Sequence, residues 1–428
     1  MTEPIIPTDE EEIDLTLFKI MKTEETREII PFLVSQFIGF FVLMALQQLY
    51  PLYLQKVTTK SAEQIALEWG LIVTIYTFAG IFARIPTAWL LEKYGRKLTI
   101  MTSFVLMIIG VGGLIFTTNI VIVSLLFVVL RISNNMYSLS SRLIVSDLRS
   151  KYKGLYNSLI SSFGRLGNLI GTVGLGFVLN YLPPIVLLIV IVVVAIVGMI
   201  VFKLLFIEGK AELRHFTRRI DLKQGKKKAK FKFKLLTSQI FLFFSFSFAL
   251  YGVIAGLTNP LFSIYGKNVL NLSESLVGTL LGLSQLSFIL ISPFVGLLVS
   301  KRQNLTYYLL LIASILTTFN LLLFYFYYES VALYATFLFV KNIAQALFFP
   351  VIFTIYTFKL PKEHFSLLYS ISTTLFFLGY AATSYVSGVL FNINYNLPWL
   401  YASIVGILLI LSIIVATIYN SKKGEKLQ

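Results

Sequence analysis

The sequence predicts an all-α membrane protein: 12 transmembrane helices in two six-helix bundles, with both termini cytoplasmic. Three observations lead there. Of 428 residues, 57% are hydrophobic and 13% charged, with a mean hydropathy of +0.82; a soluble domain is about 45–50% apolar and about 25% charged. The apolar residues form runs that reach the roughly 20 residues needed to cross a bilayer as a helix. The second half of the chain repeats features of the first at a nearly constant offset. This composition excludes a soluble enzyme with one ordinary core, and it excludes a disordered chain.

The chain opens on an acidic arm, 1–28, with Glu3, Asp9, Glu10, Glu11, Glu12, Asp14, Glu24, Glu25 and Glu28. A cleavable signal needs a basic start and a short apolar stretch, so the arm reads as cytosolic. The first bundle, 29–206, holds spans at 29–54, 65–91, 98–117, 120–141, 154–180 and 184–206. Charged or turn residues such as Lys56, Glu92, Arg142 and Lys153 break the runs. A linker, 207–235, follows, with ten bases between Arg214 and Lys234. The second bundle, 236–420, holds spans at 236–264, 273–299, 305–328, 331–358, 364–391 and 397–419, and a cytosolic tail covers 421–428. These runs are too long for strands and lack the alternation of a membrane barrel.

Basic residues set the expected orientation. With both termini inside, 29 of the 36 Lys and Arg fall in cytoplasmic segments, three (Lys56, Lys60, Lys267) in outer loops and four within spans. Such asymmetry is the signature of positive-inside topology. It also accounts for the net charge of +16 without nucleic acid, and no nucleic-acid partner is expected. The linker is read as lying against anionic lipid headgroups. The chain has no Cys and two His, His215 and His364, so no metal and no cofactor are expected. A single chain is the expected functional unit.

The repeat is visible residue by residue. Tyr50-Pro51-Leu52-Tyr53 resembles Asn259-Pro260-Leu261-Phe262, Gly70 matches Gly278, and Ala88 matches Gly296. Pro86 falls near Pro293, and Ser158 and Gly167 match Ser370 and Gly379. A parallel duplication of this kind suits a transporter whose substrate lies between the halves near mid-membrane.

Between spans 2 and 3 the sequence reads Ala88-Trp89-Leu90-Leu91-Glu92-Lys93-Tyr94-Gly95-Arg96-Lys97. This resembles the signature of the major facilitator superfamily: a small residue, three others, an acid, a base, any residue, Gly, two bases. Ala88 stands where Gly is usual and Glu92 where Asp is usual. A weaker copy, Gly296 to Arg302, lies between spans 8 and 9 and lacks the acid. The resemblance implies that Ala88, Glu92, Lys93, Gly95, Arg96 and Lys97 form a conformational latch, with Arg142, Asp147 and Arg149 as local partners. Span 5 carries glycines at 164, 167, 171, 174 and 176 but no Pro among them, a departure from the drug:proton antiporter pattern.

Every acidic residue can be placed outside the spans or at their ends, but Arg84, Arg131, Arg165 and Lys341 cannot. Intramembrane charges are costly and usually face a cavity. At about 1.5 Å per residue, Arg131 and Arg165 come to lie near mid-bilayer, Lys341 approaches that depth from the second half, and Arg84 is placed to snorkel toward the cytoplasm. Polar neighbours follow at helical spacing: Asn135 and Ser138 after Arg131, Asn168 and Thr172 after Arg165, Asn342 and Gln345 after Lys341. Gln36 and Gln47, 11 apart, share a face of span 1.

Arg131, Arg165, Lys341, Gln36, Gln47, Asn135, Asn168, Asn342 and Gln345 are therefore the candidate substrate-binding residues. An Arg fork suits carboxylate or phosphate, and a cationic substrate would need a counter-charge that is missing. The expected function is movement of a small anionic solute, an organic acid or phosphorylated metabolite, across the plasma membrane by alternating access. The alternative is a transporter of neutral or amphipathic solutes, sugar or drug, with structural Arg residues. An enzyme is not expected: no carboxylate pair falls within a span, both His lie in connections, and no phosphate loop of the GxxxxGK[ST] type is present.

Overall fold

The computed structural model describes residues 24–147, 153–206, 239–302, 305–327, 329–359 and 365–424. Most of the acidic arm, the basic linker with His215, Arg149, and His364 lie outside the described residues. Among the described residues there are 12 helical segments long and apolar enough to cross a membrane. They are α1 (Arg27–Val57), α2 (Ala62–Arg84), α3 (Lys93–Leu114), α4 (Ile120–Val145), α5 (Lys153–Tyr181), α6 (Pro184–Leu205), α7 (Phe241–Asn268), α8 (Glu274–Lys301), α9 (Thr306–Phe326), α10 (Val331–Ile355), α11 (Ser370–Ile393) and α12 (Leu397–Ile418).

Local chemistry sets the boundaries. Ser61 caps α2 by a reciprocal capping box with Gln64, which satisfies two otherwise unpaired N–H groups. Asn119 accepts from Val121 N at 3.0 Å to open α4, and Pro184 opens α6, where a missing N–H costs nothing. In the first turn of α3 the chain kinks at Gly95, whose φ of 83° lies in the region that L side chains avoid. α7 is interrupted by a 3-10 turn at Asn259–Leu261, where Pro260 lacks a donor for the helix ladder. α8 breaks between Leu283 and Gln285.

The offsets in the sequence become equivalent contacts in space. A Cβ on Gly167 of α5 would strike the Phe37 carbonyl of α1, and one on Gly379 of α11 would lie 2.6 Å from the Ala249 carbonyl of α7. Gly70 of α2 faces Ser384 of α11, while Gly278 of α8 faces Thr172 and Gly176 of α5. Each half thus packs α1 on α5 or α7 on α11, and the halves meet along α2–α11 and α5–α8. Small residues let these backbones approach where lipid supplies no hydrophobic drive between helices.

The lipid side follows from what remains uncovered. α6 is apolar all round, and Ile189, Val193, Ile196 and Ile200 stand exposed at helical spacing, as a helix against hydrocarbon should. Each half has an aromatic core: Tyr50, Trp69, Tyr76 and Phe127 in the first, and Phe262, Tyr265, Phe324, Phe337 and Trp399 in the second.

The two ends of the bundle are called here the Ser61 face and the Gly95 face. At the Ser61 face Gln55 donates to Asn268 at 2.7 Å and Tyr395 donates to Glu63 at 3.1 Å. Glu274 lies 3.8 Å from Lys56 and 3.0 Å from Lys267. At the Gly95 face Gly154 of α5 meets Gly296 and Ser300 of α8. The halves therefore touch at both faces, with a cavity between.

Glu274→Gln is expected to loosen the Ser61 face only slightly, by under about 1 kcal/mol. Both lysine side chains are about a third exposed, at 30% and 33%, so water and salt screen the pair. A small gain in labelling of a Val73→Cys reporter, erased by high salt, is the expected reading; a large, salt-independent gain would show a dominant gate.

Candidate functional site

A cavity of about 290 Å³ lies between the halves. It is small for a ligand site, since such sites run from about 300 to 1,000 Å³. Five bases line it: Arg84 and Arg131, Arg142 and Arg165, and Lys341. No Asp or Glu does so among the described residues.

Arg131 is held by ring and electrostatic contacts. It projects from α4 past Gly80 of α2, where any Cβ would collide with its side chain. It is 7% exposed, and its Nε is buried without a hydrogen-bond partner. Its Cζ lies 4.0 Å from the centre of the Phe377 ring, and Tyr76, Tyr137 and Tyr380 are within electrostatic reach. Asn134, Asn135, Ser138 and Arg142 continue this lining along α4 at helical spacing. Asn135 is held by α2, donating to the Gly80 carbonyl at 2.7 Å.

Arg165 is placed differently. From α5 it crosses to the other half, with Nη1 donating to Gln285 Oε1 at 2.9 Å and Nη2 to Gln345 Oε1 at 2.6 Å. Gln285 is oriented for this by its own amide, which donates to the Leu281 carbonyl at 3.1 Å. The guanidinium also sits 4.8 Å from the Phe288 ring centre. Lys341 lies 3.8 Å from the Phe262 ring centre, and the broken part of α7, Asn259 and Pro260, completes that corner.

Of the other sequence candidates, Gln47, Asn168 and Gln345 line the cavity. The Thr172 hydroxyl sits between Asn168 and Gln48, 2.9 Å and 3.0 Å away. Gln36 and Asn342 do not line it. Gln36 is buried in the first half, at the level where α1 packs on α5. Asn342 staples α10 to the break in α8, donating to Ser284 Oγ at 2.9 Å and to the Leu338 carbonyl.

Arg84 requires correction. It does not snorkel outward: it lines the cavity, donates to Thr373 Oγ1 of α11 and lies 4.6 Å from the Phe377 ring centre. Arg142, expected at the latch, also lines the cavity. It donates to the Asn157 carbonyl at 3.0 Å and Ser161 Oγ at 2.8 Å, over the Phe353 ring at 4.2 Å. In the α2–α3 turn, Lys93 lies over Trp89 and Tyr94, Lys97 lies over Phe206, Arg96 is fully buried and Ala88 packs on the core. Glu92 and Asp147 are helical.

Sequence reasoning missed the aromatic lining. Phe248, Phe262, Phe288, Phe349, Phe353, Phe376 and Phe377 all reach the cavity from the second half. In a chain with 38 Phe, no local pattern sets these apart. Asn134 and Arg142 were legible as further members of the α4 polar face.

Residues 32–364 match the sequence profile of the Major Facilitator Superfamily, and the chain belongs to that family. It is a multi-pass membrane transporter of small solutes, not an enzyme. Comparison with curated protein sequences finds no match. Among solved structures, it resembles the crystal structure of the human organic anion transporter MFSD10 (TETRAN), with a TM-score of 0.72 at 13% identity, covering 92% of this chain and 100% of that one. At that identity the likeness is one of fold.

Proposed function

We propose that the protein moves a small organic anion across the plasma membrane by alternating access between its halves. The observation that carries this is the cavity lining: five cationic side chains and, among the described residues, no carboxylate. For Arg131, Arg165 and Lys341, buried charge in a low-dielectric site is costly, and an anionic substrate would offset it. The named function of the fold neighbour, an organic anion transporter, agrees with this reading. Arg131 is the primary anion seat. Arg165 and Lys341 complete it from opposite halves, with Gln47, Asn135, Asn168 and Gln345 as polar walls.

In this proposal the termini, the Gly95 face and the basic linker are cytosolic. Ala88 through Lys97, with Asp147 and Arg149, act as the latch between states. Glu92→Gln should then lower turnover more than apparent substrate affinity, because the residue is remote from the cavity; wild-type turnover would remove the latch from the mechanism.

The direct test is thermal stabilisation of the purified protein by anionic, neutral and cationic metabolites. A ligand that binds only the folded state raises its melting temperature. Stabilisation by anions alone is expected, and stabilisation by cations alone would overturn the reading.

A further inference from the structure

The cavity has two unlike walls. Four of its five bases, Arg84, Arg131, Arg142 and Arg165, come from the first half, while Asn and Gln side chains line both, with Asn259, Gln285 and Gln345 in the second. The second half contributes seven of the eight lining Phe. Four of those seven form one cluster. Phe376 lies 4.9 Å from Phe248 and 6.3 Å from Phe349 between ring centres, and Phe353 lies 6.1 Å from Phe349. Phe349, Phe353 and Phe376 are only half-buried, so they keep surface toward the cavity.

From this asymmetry we infer that the substrate is a two-faced monoanion: a carboxylate or similar head on a flat apolar body, aromatic rather than polyhydroxylated. The inference rests on the anionic reading above and narrows it. The head faces the first half, at Arg131, whose buried Nε lacks a partner. The body lies on the ring cluster of the second half.

Three features support a body of this kind. Each of the five bases lies over a ring of the second half, Arg84 and Arg131 over Phe377, Arg142 over Phe353, Arg165 over Phe288 and Lys341 over Phe262, so a charged head and a flat body would find their partners side by side. On the cluster of Phe248, Phe349, Phe353 and Phe376 a sugar phosphate would press hydroxyl groups against rings that offer no hydrogen bonds, which is unfavourable. An aromatic body instead gains offset or edge contacts with rings 4.5–7 Å away. A compact polyanion such as citrate would leave the ring wall uncovered. An amphipathic cation would meet ring faces but also five like charges.

The walls belong to different halves, so such a substrate has to be gripped by both at once. Its body alone would engage the second half only. Loading by a complete two-faced molecule therefore favours the state in which the halves are closed on it.

The test uses the full-length protein in detergent and in liposomes, with 2-naphthoate, its neutral analogue 2-naphthalenemethanol, glycerol 3-phosphate and citrate. Naphthoate is expected to stabilise the protein and to be taken up. The neutral analogue and the two compact anions should bind at least about tenfold more weakly. Phe376→Leu keeps an apolar side chain but removes the ring, and it should weaken naphthoate several-fold, in line with one aromatic contact. Phe349→Leu serves equally if the first variant folds poorly. If glycerol 3-phosphate or citrate binds as well as naphthoate, the two-faced class is wrong while the anionic reading stands. If the neutral analogue matches naphthoate, or if no anion binds, both readings fall. If neither Phe variant alters naphthoate binding, the ring wall is not the seat of the body.

Discussion

Arg131→Gln should abolish most anion-dependent stabilisation while leaving the empty protein at least as stable as the wild type. The guanidinium is 7% exposed, its Nε lacks a partner, and its main protein contact is the face of Phe377. Removing a buried charge that has no counter-charge relieves a cost rather than breaking a bond. With an anion present the balance reverses. A hydrogen bond to a charged group is worth about 1.5–3 kcal/mol, so the dissociation constant should rise about tenfold to a hundredfold. Arg131→Lys should fall between, keeping charge but losing the planar fork. Melting temperatures with and without ligand decide the matter. A variant with a lowered empty-state melting temperature and an intact ligand shift would make Arg131 a structural residue.

Arg165 provides the contrast. Its two terminal nitrogens are held by Gln285 and Gln345 across the seam between the halves. Arg165→Gln should therefore lower the melting temperature of the empty protein as well as weaken the ligand. Two arginines at similar depth, with similar polar neighbours in sequence, thus have different expected signatures because of partners that are distant in the chain.

That contrast marks where sequence reading stopped. The 12 spans were legible because hydrocarbon imposes a length and a composition, and the duplication was legible because paired offsets survive in glycines and prolines. Gly167 and Gly379 matched in sequence, and they turned out to make the same contact in the two halves. Arg84 was misplaced because depth along one straight helix says nothing about Thr373 on α11. Gln36 shares a face with Gln47 by rotation, but it is buried and does not line the cavity. The ring wall was hidden for a different reason: phenylalanine lines the lipid surface, the helix contacts and the cavity alike, so its position in the sequence carries no contrast.

The glycines between α5 and α8 lead to the other large expected effect, a pair of variants acting in opposite directions. At the Ser61 face a Cβ on Gly278 would lie 2.6 Å from the Thr172 carbonyl and 3.0 Å from Gly176 Cα. At the Gly95 face a Cβ on Gly296 would collide with Ser158 and lie 2.5 Å from the Gly154 carbonyl. Several of these obstacles are backbone, which cannot swing aside as a side chain does. Val at either site should exclude the arrangement in which the halves meet at that face. Overpacking costs about 1–3 kcal/mol, and each 1.4 kcal/mol is a tenfold change in population. Gly278→Val should therefore hold the Ser61 face open, and Gly296→Val the Gly95 face. Because the chain has no native Cys, one cysteine in place of the cavity residue Val73 can report access without background. A membrane-impermeant maleimide should label it faster from the Ser61 side in Gly278→Val and slower in Gly296→Val. Transport should fall at least about tenfold in both, since a carrier that cannot close one face cannot complete its cycle. The milder Gly→Ala changes should give the same signs with smaller size. If both Val variants shift labelling in the same direction, or transport at the wild-type rate, close α5–α8 contact does not control access to the cavity.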